Sequence, residues 1–313
     1  MLLSDGYYYT GKRPESQCLR ARLRLTGGPG GCYHDPRTRG SAPGNEEWHM
    51  AGRDRLDAAE IRRFLTTEAL GREIEIHQLV DSTNNRAKQL AAAGAPHGLL
   101  VAAEAQSGGR GRMGRSFFSP QKDGIYLTFL LRPACSPEQA AMLTSLIAAA
   151  AARAVENLTG ADVRIKWVND LYLGGKKICG ILCEAGLAAD TGAVDYVAAG
   201  IGINVNRMEF PPELRDVATS IGNECGAAPD RNRLAAEIAN QIEALYPQLE
   251  TGEFLAECRR RSNVIGREVL VAEGGKRYPA RALEIDDRGR LVVETGDHEK
   301  IRLDGGEVSL KWL

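Results

Sequence analysis

The longest patterned run in the chain is SPEQAAMLTSLIAAAAARAVENL, Ser136 to Leu158, and it sets the scale of anything this sequence can fold into. It reads as one long helix. Pro137 sits near its first turn, where a missing N–H is harmless, and Gly160 lies beyond its end. Its apolar centre, Ile147 to Ala152, is Ala-rich and closes at Arg153, so no run of transmembrane length is expected. Strand-like stretches flank it. EIEIHQLV, GLLVAAEAQ and DGIYLTFLLRP come before, and VDYVAAGIGINVN comes late. Between them VRIKWVNDLYLGG and KKICGILCEAG read as two strands joined by a turn at Gly174–Gly175. Three further helices are predicted. LDAAEIRRFLTTEAL is capped by Asp57, ended by Gly71, and carries Leu56, Ile61, Phe64 and Leu65 on one face. DSTNNRAKQLAAAG turns from loop into helix at Ser82 or Thr83, and RNRLAAEIANQIEALYPQL is amphipathic. A shorter helix is expected over 252–261. From Asn263 the texture changes to short strands separated by Gly or Asp-Gly turns, which suggests a small β-barrel or meander.

A length of 313 residues suggests one or two domains. Residues 1–52 differ from the rest, with eight Gly and four Pro before Met50, and read as a disordered leader. Acidic residues among its arginines argue against a transit peptide, the N-terminus lacks the apolar core of a signal peptide, and Met50 is an alternative start. The formal net charge of −1 argues against bulk binding to nucleic acid or an anionic membrane. Seven Cys without zinc-like pairs read as reduced, mostly buried thiols of a cytoplasmic protein. Five His with no ligand spacing make a built-in metal site unexpected.

Four stretches fit poorly with a purely structural role. GGRGRMGR, Gly108 to Arg115, joins backbone that approaches anions closely to side chains that are always charged. It is either a solvated basic turn or a loop that folds over a phosphate-bearing ligand; its place between two apolar strands favours the second. It is not a P-loop, because no G-K followed by Ser or Thr closes it. KWVNDLYLGGKKICGIL gathers Lys166, Asn169, Asp170, Lys176 and Lys177 on one apparent hairpin. Asn169 and Asp170 stand where the apolar alternation breaks, so they shape a turn or bulge or face a ligand. Trp167 reads as core. In AAGIGINVN, Gly200 and Gly202 permit close approach to one strand face, and Asn204 could present its amide to a ligand. In DSTNNRA the Ser, Thr and Asn side chains either cap a helix or bind a small polar group.

Together and in this order, with a terminal GGEVSL, the four stretches resemble the biotin protein ligases over residues 55–313. The pattern departs from the family at Val168, where Pro is usual, and at Met113, a position often held by Arg. The resemblance implies an α/β catalytic domain with a mixed sheet over 53–262 and an SH3-like C-terminal β-barrel over 263–313. It implies that biotin and ATP, with magnesium, give biotinyl-5′-AMP, and that biotin then passes to one lysine of a biotin carboxyl carrier domain such as that of acetyl-CoA carboxylase. By resemblance Ser82, Thr83, Asn84, Gln106, Arg110, Gly111, Arg112 and Lys177 hold biotin. Arg110, Arg112, Arg115, Asn169 and Asn204 hold ATP and the adenylate. Arg112, Lys177 and Asp170 serve the chemistry, Asp170 by orienting magnesium or accepting the incoming lysine's proton. The leader shows no paired helical pattern, so the chain reads as the ligase-only type with no specific DNA partner, and as monomer or homodimer. Rival readings are a lipoate ligase or octanoyl transferase, which shares the catalytic fold, and a nucleic-acid binder built on the Gly/Arg loop.

Overall fold

The computed structural model of the chain describes residues 55–206 and 208–310, so the leader expected over 1–52 lies outside the described residues. Strands β1 (Ile74–His77), β2 (Leu100–Ala103), β3 (Gly124–Leu131), β4 (Arg164–Lys166), β5 (Asp170–Leu173), β6 (Lys176–Leu187) and β7 (Val194–Asn204) form a seven-stranded sheet in the order β1-β2-β3-β7-β6-β5-β4. Only β1 and β2 run parallel; every other pair is antiparallel. A second, fully antiparallel sheet follows: β8 (Glu268–Glu273), β9 (Lys276–Ile285), β10 (Leu291–Thr295), β11 (Lys300–Leu303) and β12 (Glu307–Leu310), in the order β11-β10-β9-β8-β12. The mixed α/β class and the separate C-terminal β unit agree with the sequence reading.

The two faces of the large sheet are unlike. Ile125, Leu127, Phe129 and Leu131 of β3 and Ile201 and Ile203 of β7 are buried on one face. There they meet helices α3 (Pro137–Thr159) and α5 (Arg231–Leu245), which also pack on each other. The start of α3 is fixed by a reciprocal pair of bonds between Ser136 and Gln139, and its end by Gly160 at φ +70°. The opposite face carries α2 (Thr83–Ala92) over a small cluster of Ala87, Ala91, Val101, Leu130 and Ala198, and is otherwise open.

Several expectations need correction. Helix α3 is long and apolar enough on composition alone to cross a membrane; most of that window is buried, which makes it a core helix. Helix α1 (Ala58–Phe64) is capped by Asp57 as expected but stops at Phe64, seven residues before Gly71. The Glu243 carboxylate on α5 accepts from the backbone N–H of Ala69 and Leu70, satisfying the chain in a non-helical path. Phe64 consequently turns outward and is 38% exposed. VRIKWVNDLYLGG is two strands rather than one, because Trp167, Val168 and Asn169 make the turn between β4 and β5. A five-residue helix, α4 (Ile221–Cys225), precedes α5, and the expected short helix, α6, spans Leu255–Arg261. The five described cysteines are all unbridged, but only Cys179 and Cys258 are fully buried.

One buried ion pair was not foreseen. Arg231, at the first turn of α5, is 0% exposed and donates to Glu104 Oε2 at 2.8 Å and to the Gly124 carbonyl at 2.9 Å. Glu104 Oε1 accepts from the Leu56 N–H at 2.7 Å. Two charges thus tie the chain just ahead of α1, the end of β2, the start of β3 and the start of α5 to one point. Removing one partner strands a charge in the interior. Arg231→Ala should therefore lower unfolding free energy by about 3–5 kcal/mol. That is a fall in Tm on the order of 10 °C, measurable by calorimetry; a surface-like change below 1 kcal/mol would show that the pair is not structural.

Candidate active site

The site is written in the register of the large sheet. Direct partners across the strands are His77, Ala103, Tyr126, Gly202, Gly180, Asp170 and Lys166, one residue from each of the seven strands. Side chains in such a row share a face. The two glycines leave its middle bare, with Tyr126 on one side and Asp170 and Lys166 on the other.

Strict alternation would turn Lys177 away from this row. A β-bulge prevents that. Leu171 pairs with Cys179 but Tyr172 pairs with Lys177, so β6 holds one extra residue, Ile178. The shift brings Lys177 onto the face of Asp170, where their side chains form an ion pair at 2.7 Å. Lys176 then points elsewhere and donates to the Arg215 carbonyl at 2.6 Å.

The bare glycines are covered by side chains. A Cβ at Gly200 would stand 2.1 Å from Asn84 Oδ1, and one at Gly202 would stand 2.6 Å from Phe117 Cε1. Gly200 and Gly202 do permit close approach, as expected. The Phe117 ring also lies against Gly180 and meets Tyr126 edge-on at 6.4 Å. It divides the open face into two cavities that share Arg110, Phe117 and Gly180.

The inner cavity is lined by neutral polar groups: Ser82, Thr83, Asn84 and Gln106. Its free volume is about 20 Å³, room for one or two waters at roughly 10–15 Å³ each. Gln106 Oε1 accepts from the Thr83 N–H at 2.9 Å, and its amide donates to Ser119 at 3.0 Å. Asn84 is held on every side, donating to Leu182 O at 3.0 Å and Glu184 at 2.9 Å and accepting from Thr128 at 2.7 Å. Ser82 occupies the N-cap position of α2 with no side-chain cap bond, although it is only 2% exposed. Ser82 lines the inner cavity and leaves the helix end uncapped by its hydroxyl.

The outer cavity, about 110 Å³, is cationic. Arg110, Gly111, Arg112 and Arg115 of the Gly/Arg loop line it with Lys166, Asn169, Asp170, Lys177 and, from β12, Glu307. Each loop arginine has a different anchor. Arg110 donates to Asn85 at 3.0 Å and pairs with Glu184 at 3.0 Å. Arg112 donates to Asn169 Oδ1 at 3.2 Å, and Arg115 binds Glu307 in the C-terminal sheet at 2.8 Å. Arg115 holds the Glu307 carboxyl below the ordinary range. Burial pushes Glu184 up, but Asn84, Lys88 and Arg110 outweigh it and hold the carboxyl low. Burial pulls the Arg112 guanidinium down against the attraction of Asp170 and Glu307. Trp167 is buried as expected and donates through Nε1 to Gly289 O at 2.9 Å, a link to the second sheet. Val168, in place of the usual Pro, packs against the core and leaves Asn169 and Asp170 in the cavity. Met113 sits in the loop at φ +56° and is 70% exposed.

One candidate lies apart from the rest. Asn204 lines neither cavity; it is buried at the end of β7, and its amide donates to Thr219 O at 2.9 Å. Three side chains were missed, and Lys166, named on the hairpin, had been given no role. Phe117 lies beside a motif already singled out. Glu184 had a signal, a lone carboxylate inside an apolar strand. Glu307 had none, since its partner Arg115 is 192 residues away in sequence. Among the described residues no group of three or more His, Cys, Asp or Glu is placed to hold a metal.

The profile of the biotin/lipoate A/B protein ligase family matches residues 76–204, and that of the biotin protein ligase C-terminal domain matches residues 264–311. The chain is 36% identical over 250 residues to the bifunctional ligase/repressor BirA of Bacillus subtilis, covering 78% of this chain and 76% of that one. It is 34% identical over 275 residues to the biotin–acetyl-CoA-carboxylase ligase of Mycobacterium tuberculosis, 84% of this chain and all of that one. The biotin protein ligase of Aquifex aeolicus in complex with biotin and ATP superposes with a TM-score of 0.65 at 27% identity, over 77% of this chain and 99% of that one.

The two covered glycines should respond differently to a methyl group. Asn84 is fixed by three partners, so Gly200→Ala should cost about 1–3 kcal/mol of stability and close the inner cavity. Phe117 belongs to a loop and can move, so Gly202→Ala should leave Tm within about 2 °C, less than 1 kcal/mol at this size. Thermal melts of the pair test this; equal destabilisation would mean that the ring is as fixed as the amide.

Proposed function

The chain belongs to the biotin protein ligase family, and from that premise we propose how its own side chains divide the reaction. It joins biotin to ATP, giving biotinyl-5′-AMP and pyrophosphate, then passes biotin to a lysine of a biotin carboxyl carrier domain. The observation that carries this reading is the junction of a neutral polar cavity with a cationic one at Gly180, with Lys177 beside it. A ureido ring needs donors and acceptors, and Ser82, Thr83 and Gln106 offer both. A carboxylate brought up to a polyphosphate needs fixed cations, and Lys177, Arg110, Arg112 and Arg115 supply them. The Phe117 ring must move for biotin to enter, since the inner cavity as it stands holds a water or two. Asn84 acts through Glu184, which fixes its amide.

Magnesium supplied with ATP would offset phosphate charge, and Asp170, whose Oδ1 is engaged by Lys177 and by Asn169 at 3.0 Å, is the carboxylate that would hold it. In the second step the same carboxylate would accept the incoming lysine's proton. The catalytic unit is residues 53–262, and residues 263–313 contribute Glu307 to the cleft.

Purified protein with labelled biotin and ATP tests the assignment. Retained biotinyl-5′-AMP supports it. Octanoyl or lipoyl transfer would support the related ligases instead, and RNA binding without adenylation a non-enzymatic role. Lys177→Met should slow adenylate formation by about 2–4 kcal/mol, and Lys176→Met should have little effect; equal losses would sink the role of Lys177. Arg112→Gly should still form the adenylate but release it roughly ten- to a hundredfold faster, so that bystander amines become biotinylated. A wild-type dwell time in that variant would show that Arg112 does not retain the product.

A further inference from the structure

The cleft holds one cation that the assignments above leave unused. Lys166, on β4, lines the outer cavity beside Asp170, Glu307 and Lys177. The carboxylates around it are already taken, Asp170 by Lys177 at 2.7 Å and Glu307 by Arg115 at 2.8 Å. Among the described residues Lys166 has no carboxylate within ion-pair distance; its ammonium lies 5.9 Å from the centroid of the Tyr172 ring. Burial pulls its pKa down, Asp170 and Glu307 oppose, and Lys177 and Arg115 add to the depression. A partly buried ammonium crowded by two other cations is costly until a polyanion arrives.

Its position says which part of a polyanion. In the cross-strand row Lys166 follows Asp170, which follows Gly180, the residue shared by the two cavities. Strands are about 4.8 Å apart, so the Lys166 backbone stands roughly 10 Å from the junction, on the side away from the inner cavity. Lys177 serves the junction itself. Lys166 lies farther along the line that a triphosphate would take outward. Its strand is fixed in the sheet, unlike the loop that carries the arginines.

We propose that Lys166 binds the β- and γ-phosphates of ATP and stabilises pyrophosphate as it leaves. In that step a biotin carboxylate oxygen bonds to the α-phosphorus. The bond from the α-phosphorus to the α–β bridging oxygen breaks, and its electron pair departs with pyrophosphate. The charge appears on the side where the Lys166 ammonium waits, already desolvated. The proposal rests on the reading of the outer cleft as the ATP site.

The two half-reactions separate it from a structural role. Lys166→Met should lower kcat/KM for ATP in adenylate formation by about 10²-fold, and should raise the inhibition constant of inorganic pyrophosphate about tenfold. Transfer from supplied biotinyl-5′-AMP to an acceptor lysine should stay within about twofold, because pyrophosphate has no part in it. Lys166→Arg should recover part of the ATP step, and thermal melts report whether each variant folds. Wild-type ATP and pyrophosphate constants in a folded Lys166→Met protein would overturn the assignment, as would equal losses in both half-reactions. A wild-type protein that forms no adenylate would overturn the reading of the cleft, and this proposal with it.

Discussion

A β-sheet places side chains by parity, and parity is unforgiving: a slip of one residue sends every side chain of a strand to the other face. The site depends on that bookkeeping being right across seven strands at once. One row supplies a bare glycine floor flanked by Tyr126, Asp170 and Lys166. One deliberate violation, the extra residue Ile178 in β6, brings Lys177 to the same face as Asp170. The rest of the fold guards this arrangement. The opposite face is filled by α3 and α5, so the strands cannot slide without exposing a large apolar surface. The buried Arg231–Glu104 pair then fixes the start of α5 against the ends of β2 and β3.

Much of this was legible in the chain. The long helix with Pro137 and Gly160 at its ends, the run of strands before and after it, and the change of texture at Asn263 are all local patterns, and local patterns survive folding. The inner cavity was legible too, because Ser82, Thr83 and Asn84 lie within one short motif and the resemblance added Gln106. What failed was whatever depends on partners distant in sequence. Asn204, offered as a ligand contact, has its amide bound to Thr219 O, an acceptor that no local pattern showed. The end of α1 was misplaced because the competing acceptor, Glu243, lies far along the chain. The ion pair from Arg115 to Glu307 joins the Gly/Arg loop to the second sheet, and no spacing rule announces it. The turn at Trp167 to Asn169 was half visible: the broken alternation was there, but a turn and a ligand contact give the same signal, and Asn169 lies in the turn and lines the outer cavity.

The electrostatics of the cleft follow from how its charges are shared. Two carboxylates, Asp170 and Glu307, stand among five cations, and each is matched to one of them. The matched pairs hold geometry; the unmatched cations, Arg112 and Lys166, hold charge in reserve. Burial acts on both in the same direction, lowering the affinity of each for its proton. A site of this kind is strained toward a negative ligand before one arrives, which is the meaning of preorganisation in electrostatic terms.

The Gly/Arg loop is fastened at three points to three separate parts of the molecule: Arg110 to Asn85 and Glu184, Arg112 to the β4–β5 turn, and Arg115 to β12. Such a fastening resists spontaneous opening, since all three contacts must break together. It yields readily to a competitor that takes them one at a time. An anion with several oxygens would be such a competitor, because each oxygen offers a guanidinium what a side-chain acceptor already offers it. A loop held in this way would come free by sequential displacement, as an invading strand peels one partner from a duplex.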